Sequence, residues 1–416
     1  MKTLLVVTLF AWLGQAQTIA IQAGRIVDAA REPEAALNQV ILVEHGKISA
    51  VGAGIPIPAN ATVIDLSKST VLPGLFDAHT HLCTNMQKPR GGLNGTYEAI
   101  LLETATKTTA YRALQGAANA REMLEAGFTT VRDVGNAGNY ADSALRQAID
   151  EGLIPGPTVI NAGKIIAPYG GQMPGVLTPE LRNIGPQEYL FADTHDELVK
   201  AIHENILYGA KVIKIVVDDL PYIYSAADIK FIVEEARGAG LKVAAHCLTG
   251  RGAHNAAEAG VASIEHGLVM SDDDLALAKR NGVTLVSTDL TKEYAEALGI
   301  PEFHAIFVER LKRAYKVGLP VVFGTDVMLP LPGKTRGQAA IAYIDSFVEA
   351  GVPPPAILQA MTTGAARLLG VEKERGAIRP GMAADLIATP DNPLENIQTL
   401  RKVTFVMKDG QVFRHN

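Results

Sequence analysis

Cysteine is scarce in this 416-residue chain. There are two, Cys83 and Cys247, too few for a disulfide-built scaffold. Each stands beside a histidine, in HTHLC and AAHCL, so both read as buried thiols at the ends of different strands rather than as a bridge. Basic runs are also missing, and the formal net charge is −6. That combination argues against a nucleic-acid partner. After the first few residues no stretch is long and apolar enough to span a bilayer. No Gly-rich phosphate turn follows an early strand, which counts against an open nucleotide-binding sheet. No solenoid repeat is visible. What remains is an ordinary globular composition, 48% hydrophobic and 20% charged, with enough length for one large core and a smaller module.

The first residues stand apart. Lys2 precedes a short apolar stretch, 4–13, and Gly14-Gln15-Ala16 places small residues where a signal peptidase reads. Residues 1–16 are therefore expected to be a secretory signal, with a mature chain from about Gln17 in a periplasm or outside the cell and no membrane attachment after cleavage. Residues 17–70 are short apolar runs punctuated by Gly, Pro and Asn, and 371–416 share that texture, with a hairpin signal at Lys408-Asp409-Gly410. A small β-sandwich built from both termini is expected.

Between them, 71–370 alternates strand and helix signals. Strands are expected at 71–81, 128–133, 158–161, 212–217, 242–246, 262–266, 284–287 and 320–326, with amphipathic helices between most of them. Thr194 and Glu197 make a capping box for one of these helices. Eight such units in one domain imply an α/β fold of the (β/α)8 TIM-barrel class. Two long connections, 82–96 and 164–191, would lie over the C-terminal face, where such barrels build their sites.

Polar residues gather at those strand ends. In DAHTH, His79 and His81 are one residue apart, and i and i+2 of a strand share a face. Lys214 stands amid Val and Ile in KVIKIVV. His246 ends KVAAHC, His266 ends SIEHG, and Asp326 ends PVVFGTD. Taken singly, each has an ordinary explanation. A histidine can be a satisfied polar residue, Asp326 a helix cap, and Lys214 a partner of Asp218 or Asp219. Six on five strand ends point instead to a metal site. Histidine and carboxylate donors without a thiolate set suit Zn2+. Four histidines and Asp326 exceed one open site, so two divalent ions fit better. Two cations need an anionic bridge, which Lys214 supplies if CO2 has converted its amine to a carbamate.

With those residues in view, the chain resembles the amidohydrolase superfamily over nearly its whole mature length. The matching stretches are DAHTHL, VIKIVVDD, AAHC, SIEHG, GTD and PGMAADLI. The separation of His246 and His266, 266 − 246 = 20, is typical of the binuclear branch. The most similar group is the one related to imidazolonepropionase, with its prolidase-like dipeptidases and ochratoxinase-type amide hydrolases. The resemblance implies that His79, His81 and Asp326 hold one ion and His246 and His266 a second. Carboxylated Lys214 and a hydroxide would bridge them. Asp326 would carry the proton from that hydroxide to the leaving amine. True imidazolonepropionases are mononuclear and lack the bridging lysine, so Lys214 argues against that activity.

The implied reaction is hydrolysis of an amide next to a carboxylate, releasing an amino acid from a dipeptide, an N-acyl amino acid or an ochratoxin-like amide. A cyclic-amide, lactone or other ester hydrolase on the same centre is the alternative, and a non-catalytic metal-binding scaffold a third reading. Tyr222 and Tyr224, in DDLPYIYS, are candidates to bind an oxyanion or a substrate carboxylate. Arg132, in TTVRDVG, could hold a carboxylate or pair with an acid at the barrel mouth. The prolidase-like enzymes commonly form rings, so a homo-oligomer is expected, and the apolar helical stretch 339–348 is compatible with one.

Overall fold

The structure, a computed structural model, describes residues 18–30, 35–173, 178–219 and 222–416. The expected signal segment, 1–16, lies outside them. Eight parallel stations form the barrel. The strands are Leu75–Thr80, Phe128–Asp133, Thr158–Asn161 continued by Ile165–Ala167, Ile213–Val216, Val243–Cys247, Ser263–His266, Thr284–Val286 and Val321–Val322. The ring closes between the last and the first, where Ala78 N donates to Phe323 O at 2.9 Å.

Alternation along these strands sorts the side chains. Ile213, Ile215 and Val217 pack outward against Ile229 and Ile232 of the helix Ala226–Gly238. Lys214 points the other way and lines the cavity at the mouth. Cys247 belongs to the same outward cluster as Ile213, and Cys83 is in the other large one. Both are free buried thiols.

Three expectations change. The third strand is broken, and the connection expected over 164–191 is not irregular throughout. Thr158–Asn161 pairs with Phe128–Asp133, whereas Ile166 pairs with Ile215 of the next strand. The turn between the halves is at Gly163, φ 70, where a Cβ would meet Asn205 Oδ1 at 2.9 Å. Only glycine fits both the backbone and the space. Beyond it, Ile165–Ala167 pairs in parallel with Tyr189–Phe191. The expected connection 82–96 is likewise shorter, because a helix begins at Gly92 and runs to Thr106.

Both ends of the chain build one continuous seven-stranded sheet. Its order is Gln411–His415, Phe405–Lys408, Leu386–Thr389, Thr62–Pro73, Ile19–Ile26, Ala36–Glu44 and Lys47–Gly52. It folds over a core that includes Ile21, Ile41, Leu66, Leu386 and Phe405. Thr62–Pro73 is the hinge of this arrangement. It pairs with Ile19–Ile26 on one side and Leu386–Thr389 on the other, then leads directly into the first barrel strand. Among the described residues no helix is long and apolar enough to cross a membrane.

Candidate metal centre

The barrel mouth brings His79, His81, Lys214, His246, His266 and Asp326 together in one cavity. Imidazole centroids lie 5.2 Å apart for His79 and His81, 4.9 Å for His79 and His266, and 4.5 Å for His246 and His266. His79, His266 and Asp326 present donor atoms within 4.8 Å of one another. Two of the six owe their direction to backbone turns. His266 has φ 65 and Asp326 φ 59, a left-handed conformation uncommon for residues with a Cβ. Strict alternation would turn His266 outward, because Ser263 and Glu265 already face inward. The turn sends it back into the mouth.

Each imidazole is anchored through one nitrogen. His79 Nδ1 is 2.7 Å from Glu265 Oε2, and His81 Nδ1 is 2.7 Å from Gly135 O. His246 Nε2 is 2.8 Å from Asp219 Oδ2, and His266 Nδ1 is 2.9 Å from Thr288 Oγ1. Carboxylates and carbonyls only accept, so the anchored nitrogen of His79, His81 and His246 carries the proton. The other nitrogen of each keeps a lone pair. Thr288 can hold His266 in the same way. This is the usual dress of a metal-binding histidine, whose second nitrogen is tied to an acceptor.

Electrostatics fit the same reading for His79 and His266, whereas burial lowers His81 but Asp326 outweighs it and the net shift is upward. Burial pushes the His79 pKa down to about 4, helped by Lys214. Burial and the neighbouring His246 hold His266 well below the ordinary histidine value. Both are then neutral, as ligands must be. Burial also pushes Lys214 down to about 8, against the pull of Glu265 and Asp326. Burial raises the Asp326 carboxyl, but His79 and His81 outweigh it and the net shift is downward. Asp326 Oδ1 is buried without a hydrogen-bond partner, although His81 Nε2 is 3.1 Å away and His79 Nε2 3.7 Å. A buried anionic oxygen facing imidazole lone pairs is a place for a cation. The donor set therefore fits metal binding.

Several residues at this centre were not singled out from sequence. Glu265 anchors His79 and accepts from Arg132 Nη2 at 2.7 Å. Burial raises its carboxyl, but Arg132 and His79 outweigh burial and hold it well below the usual carboxylate range. Asp77 takes the backbone N–H of His79 and both the N–H and hydroxyl of Thr325, tying the first strand to the eighth. Burial pushes its pKa up to about 7. Asp219 and Thr288 hold the other two histidines.

Three candidate substrate groups are placed elsewhere. Arg132 is buried. It donates to Ala78 O at 2.6 Å, Ser263 Oγ at 3.0 Å and Glu265 Oε1, so it braces the barrel interior. Tyr224 is buried with its hydroxyl donating to Ala192 O. Tyr222 is exposed and donates to the carbonyl of Tyr169. Neither tyrosine is among the described residues that line the cavity, their hydroxyls meeting the carbonyls of Tyr169 and Ala192 instead.

The cavity encloses about 790 Å3 including its open mouth. Opposite the histidines its wall is apolar, with Leu93, Ile100, Leu298, Ile300, Phe303 and Phe307. Lys214 is the single Lys or Arg among the lining residues.

The sequence profile described as the amidohydrolase family matches residues 70–413. Ochratoxinase of Aspergillus niger is 29% identical over 447 residues, covering 96% of this chain and 87% of that protein. An imidazolonepropionase of Alkaliphilus metalliredigens is 26% identical, covering 84% of this chain and 85% of that protein. Among solved structures, a Xaa-Pro dipeptidase with methionine bound in its active site superposes with a TM-score of 0.84 at 27% identity. That match covers 96% of this chain and all of the other.

Proposed function

The chain belongs to the amidohydrolase family, and from that premise we propose that it is a metal-dependent hydrolase of amide bonds. It would release an amino acid from a dipeptide, an N-acyl amino acid or an ochratoxin-like amide. The observation that carries this reading is the set of four imidazoles, each tied down through one nitrogen, in one cavity with the unpartnered oxygen of Asp326. The ochratoxinase and Xaa-Pro dipeptidase likenesses support the substrate class.

His79, His81 and Asp326 would hold one divalent ion, most suitably Zn2+, and His246 and His266 a second. Lys214 is the single Lys or Arg lining the cavity, and Glu265 is committed to His79 and Arg132 rather than free to bridge the two sets. As a carbamate, Lys214 would offer one oxygen to each side. Bound there, the ions supply Lewis acidity that polarises the carbonyl and acidifies water. The protein's own groups do the rest. Asp326 takes a proton from the water that adds to the carbonyl carbon. It then delivers that proton to the nitrogen as the C–N bond breaks, leaving a carboxylic acid and an amine. The apolar wall receives a bulky uncharged part of the substrate and keeps bulk water off the reacting atoms. Export, supported by the N-terminal segment, suits the scavenging of such amides. N-terminal sequencing of mature protein starting near Gln17 tests that part.

The activity test compares zinc-loaded with metal-stripped protein on dipeptides, N-acyl amino acids and aryl amides, with cyclic amides and lactones alongside. Metal-dependent release of a free amino acid from linear amides is expected. Ring opening alone, or two bound ions with no turnover on any amide, would overturn the reading.

A further inference from the structure

The fourth barrel strand ends in two aspartates with different fates. Asp218 accepts from Leu248 N at 3.0 Å, Thr249 N at 2.8 Å and the Thr249 hydroxyl at 2.7 Å, so it is used up in holding the next loop. Asp219 follows with φ 98, and its carboxylate, that of Asp218 and His246 present atoms within 4.8 Å of one another. That backbone is strained for any residue with a Cβ. It aims a carboxylate, 6% exposed, at the mouth, with Oδ2 2.8 Å from His246 Nε2. The same oxygen accepts from Tyr97 Oη at 2.8 Å and Gln172 Nε2 at 2.9 Å. Gln172 cannot be turned round without loss, because its Oε1 accepts from Tyr189 Oη at 3.1 Å.

The geometry points to Asp219 as the positioning residue for His246, and to Tyr97 and Gln172 as the outer brace through which the mouth loops set the affinity of the second metal ion. The inference rests on the binuclear reading above. Its logic is the tautomer. A carboxylate accepts only, so Nε2 keeps its proton and the lone pair stays on Nδ1. Tyr97 comes from the helix Gly92–Thr106 and Gln172 from the loop after Ile165–Ala167. Gln172 Nε2 also lies 3.4 Å from His246 Nε2 itself, a longer contact than the 2.8 Å from Asp219 Oδ2. The first ion's donors have their own anchors and do not depend on this group.

The test is made on full-length protein with zinc content and cobalt absorption as readouts, both independent of turnover. Wild type is expected to hold two ions per chain. If it holds none, the binuclear reading has failed and this one is not what failed. In Asp219→Asn the second ion should bind about 10–100-fold more weakly and the first unchanged. Zinc content should then fall toward one per chain after dialysis, with loss of one of two cobalt bands. Two ions retained at wild-type affinity with a lowered melting temperature would overturn the proposal and leave Asp219 a loop anchor. Equal weakening of both ions would overturn it too. Should Asp219→Asn fail to fold, Tyr97→Phe combined with Gln172→Leu carries the test. That pair should weaken the second ion by roughly 3–10-fold, and no change would refute the brace.

Discussion

The two halves of the centre are built by different means. His79, His81 and Asp326 are held by the barrel itself. Glu265 grips His79 from inside the sixth strand, and Arg132 grips Glu265 from the second and returns to Ala78 O, next to His79. Asp77 adds a second tie between the first and eighth strands. For His79 this bracing is buried and belongs to strands; His81 is held instead by Gly135 O, just past the end of the second strand. His246 and His266 are held by Asp219 and Thr288, which lie past the strand ends with φ 98 and φ 40. Asp219 leans in turn on a helix and a loop. Groups on strands are placed more rigidly than groups on loops. The first half should therefore be a fixed socket, and the second an adjustable one.

The hardest blow to that contrast is Glu265→Gln. It would leave the Arg132 guanidinium buried without its counter-charge, and losing one partner of a buried pair costs about 3–5 kcal/mol. Urea unfolding of the metal-free variant should show a loss of that order. Asp219→Asn, at the edge of the mouth, should cost less than half as much. A Glu265→Gln midpoint equal to wild type would mean the first half is not braced as described.

Lys214→Ala strikes both halves at once. Its charge reaches members of both, His79 and Asp326 on one side and His266 on the other. If Lys214 carries the proposed carbamate, removing it would take the shared anion from both ions. Zinc content should drop by more than half, with activity lost alongside. Lys230→Ala, exposed on the helix Ala226–Gly238, should change neither. Acetate or propionate in the buffer should restore part of both by filling the gap. A Lys214→Ala variant that keeps two zinc ions would remove the bridge from the mechanism.

How much of this was legible in the sequence follows the same division. The barrel half was. His79 and His81 share a strand face by period two, and the alternation in VIKIVV put Lys214 inside with Ile213 and Ile215 outside. Lys408-Asp409-Gly410 also turned where its residue types require, with Asp409 at φ 48 and Gly410 at φ 77. The loop half was only partly legible. The strand-end position of His266 was visible, but not the left-handed turn that aims it inward. Asp219 is one of two adjacent aspartates, and nothing in the letters tells which will face the mouth. Glu265 was hidden because it stands beside a ligand and reads as its neighbour rather than as the anchor of another histidine 186 residues away. Tyr222 and Tyr224 misled because position after a strand end does not fix where a loop carries a hydroxyl. The break in the third strand depends on one glycine packed against Asn205, a contact that no local pattern announces.

The mildest probe acts on the second half alone. Thr288→Val keeps the shape of the side chain and removes the oxygen that meets His266 Nδ1 at 2.9 Å. Both residues are β-branched, so the φ 40 backbone is not a new burden. The lost hydrogen bond is worth about 0.5–1.5 kcal/mol, which corresponds to roughly a 2–13-fold weaker hold on whatever His266 binds. The effect should appear in zinc competition for the second ion and leave the first untouched, because His79 and His81 answer to Glu265 and Gly135. Thr288→Ser, which restores the hydroxyl, should recover most of the loss. If Thr288→Val instead loosened both ions equally, the two halves would be one mechanical unit, and the distinction between socket and loop would have to be given up.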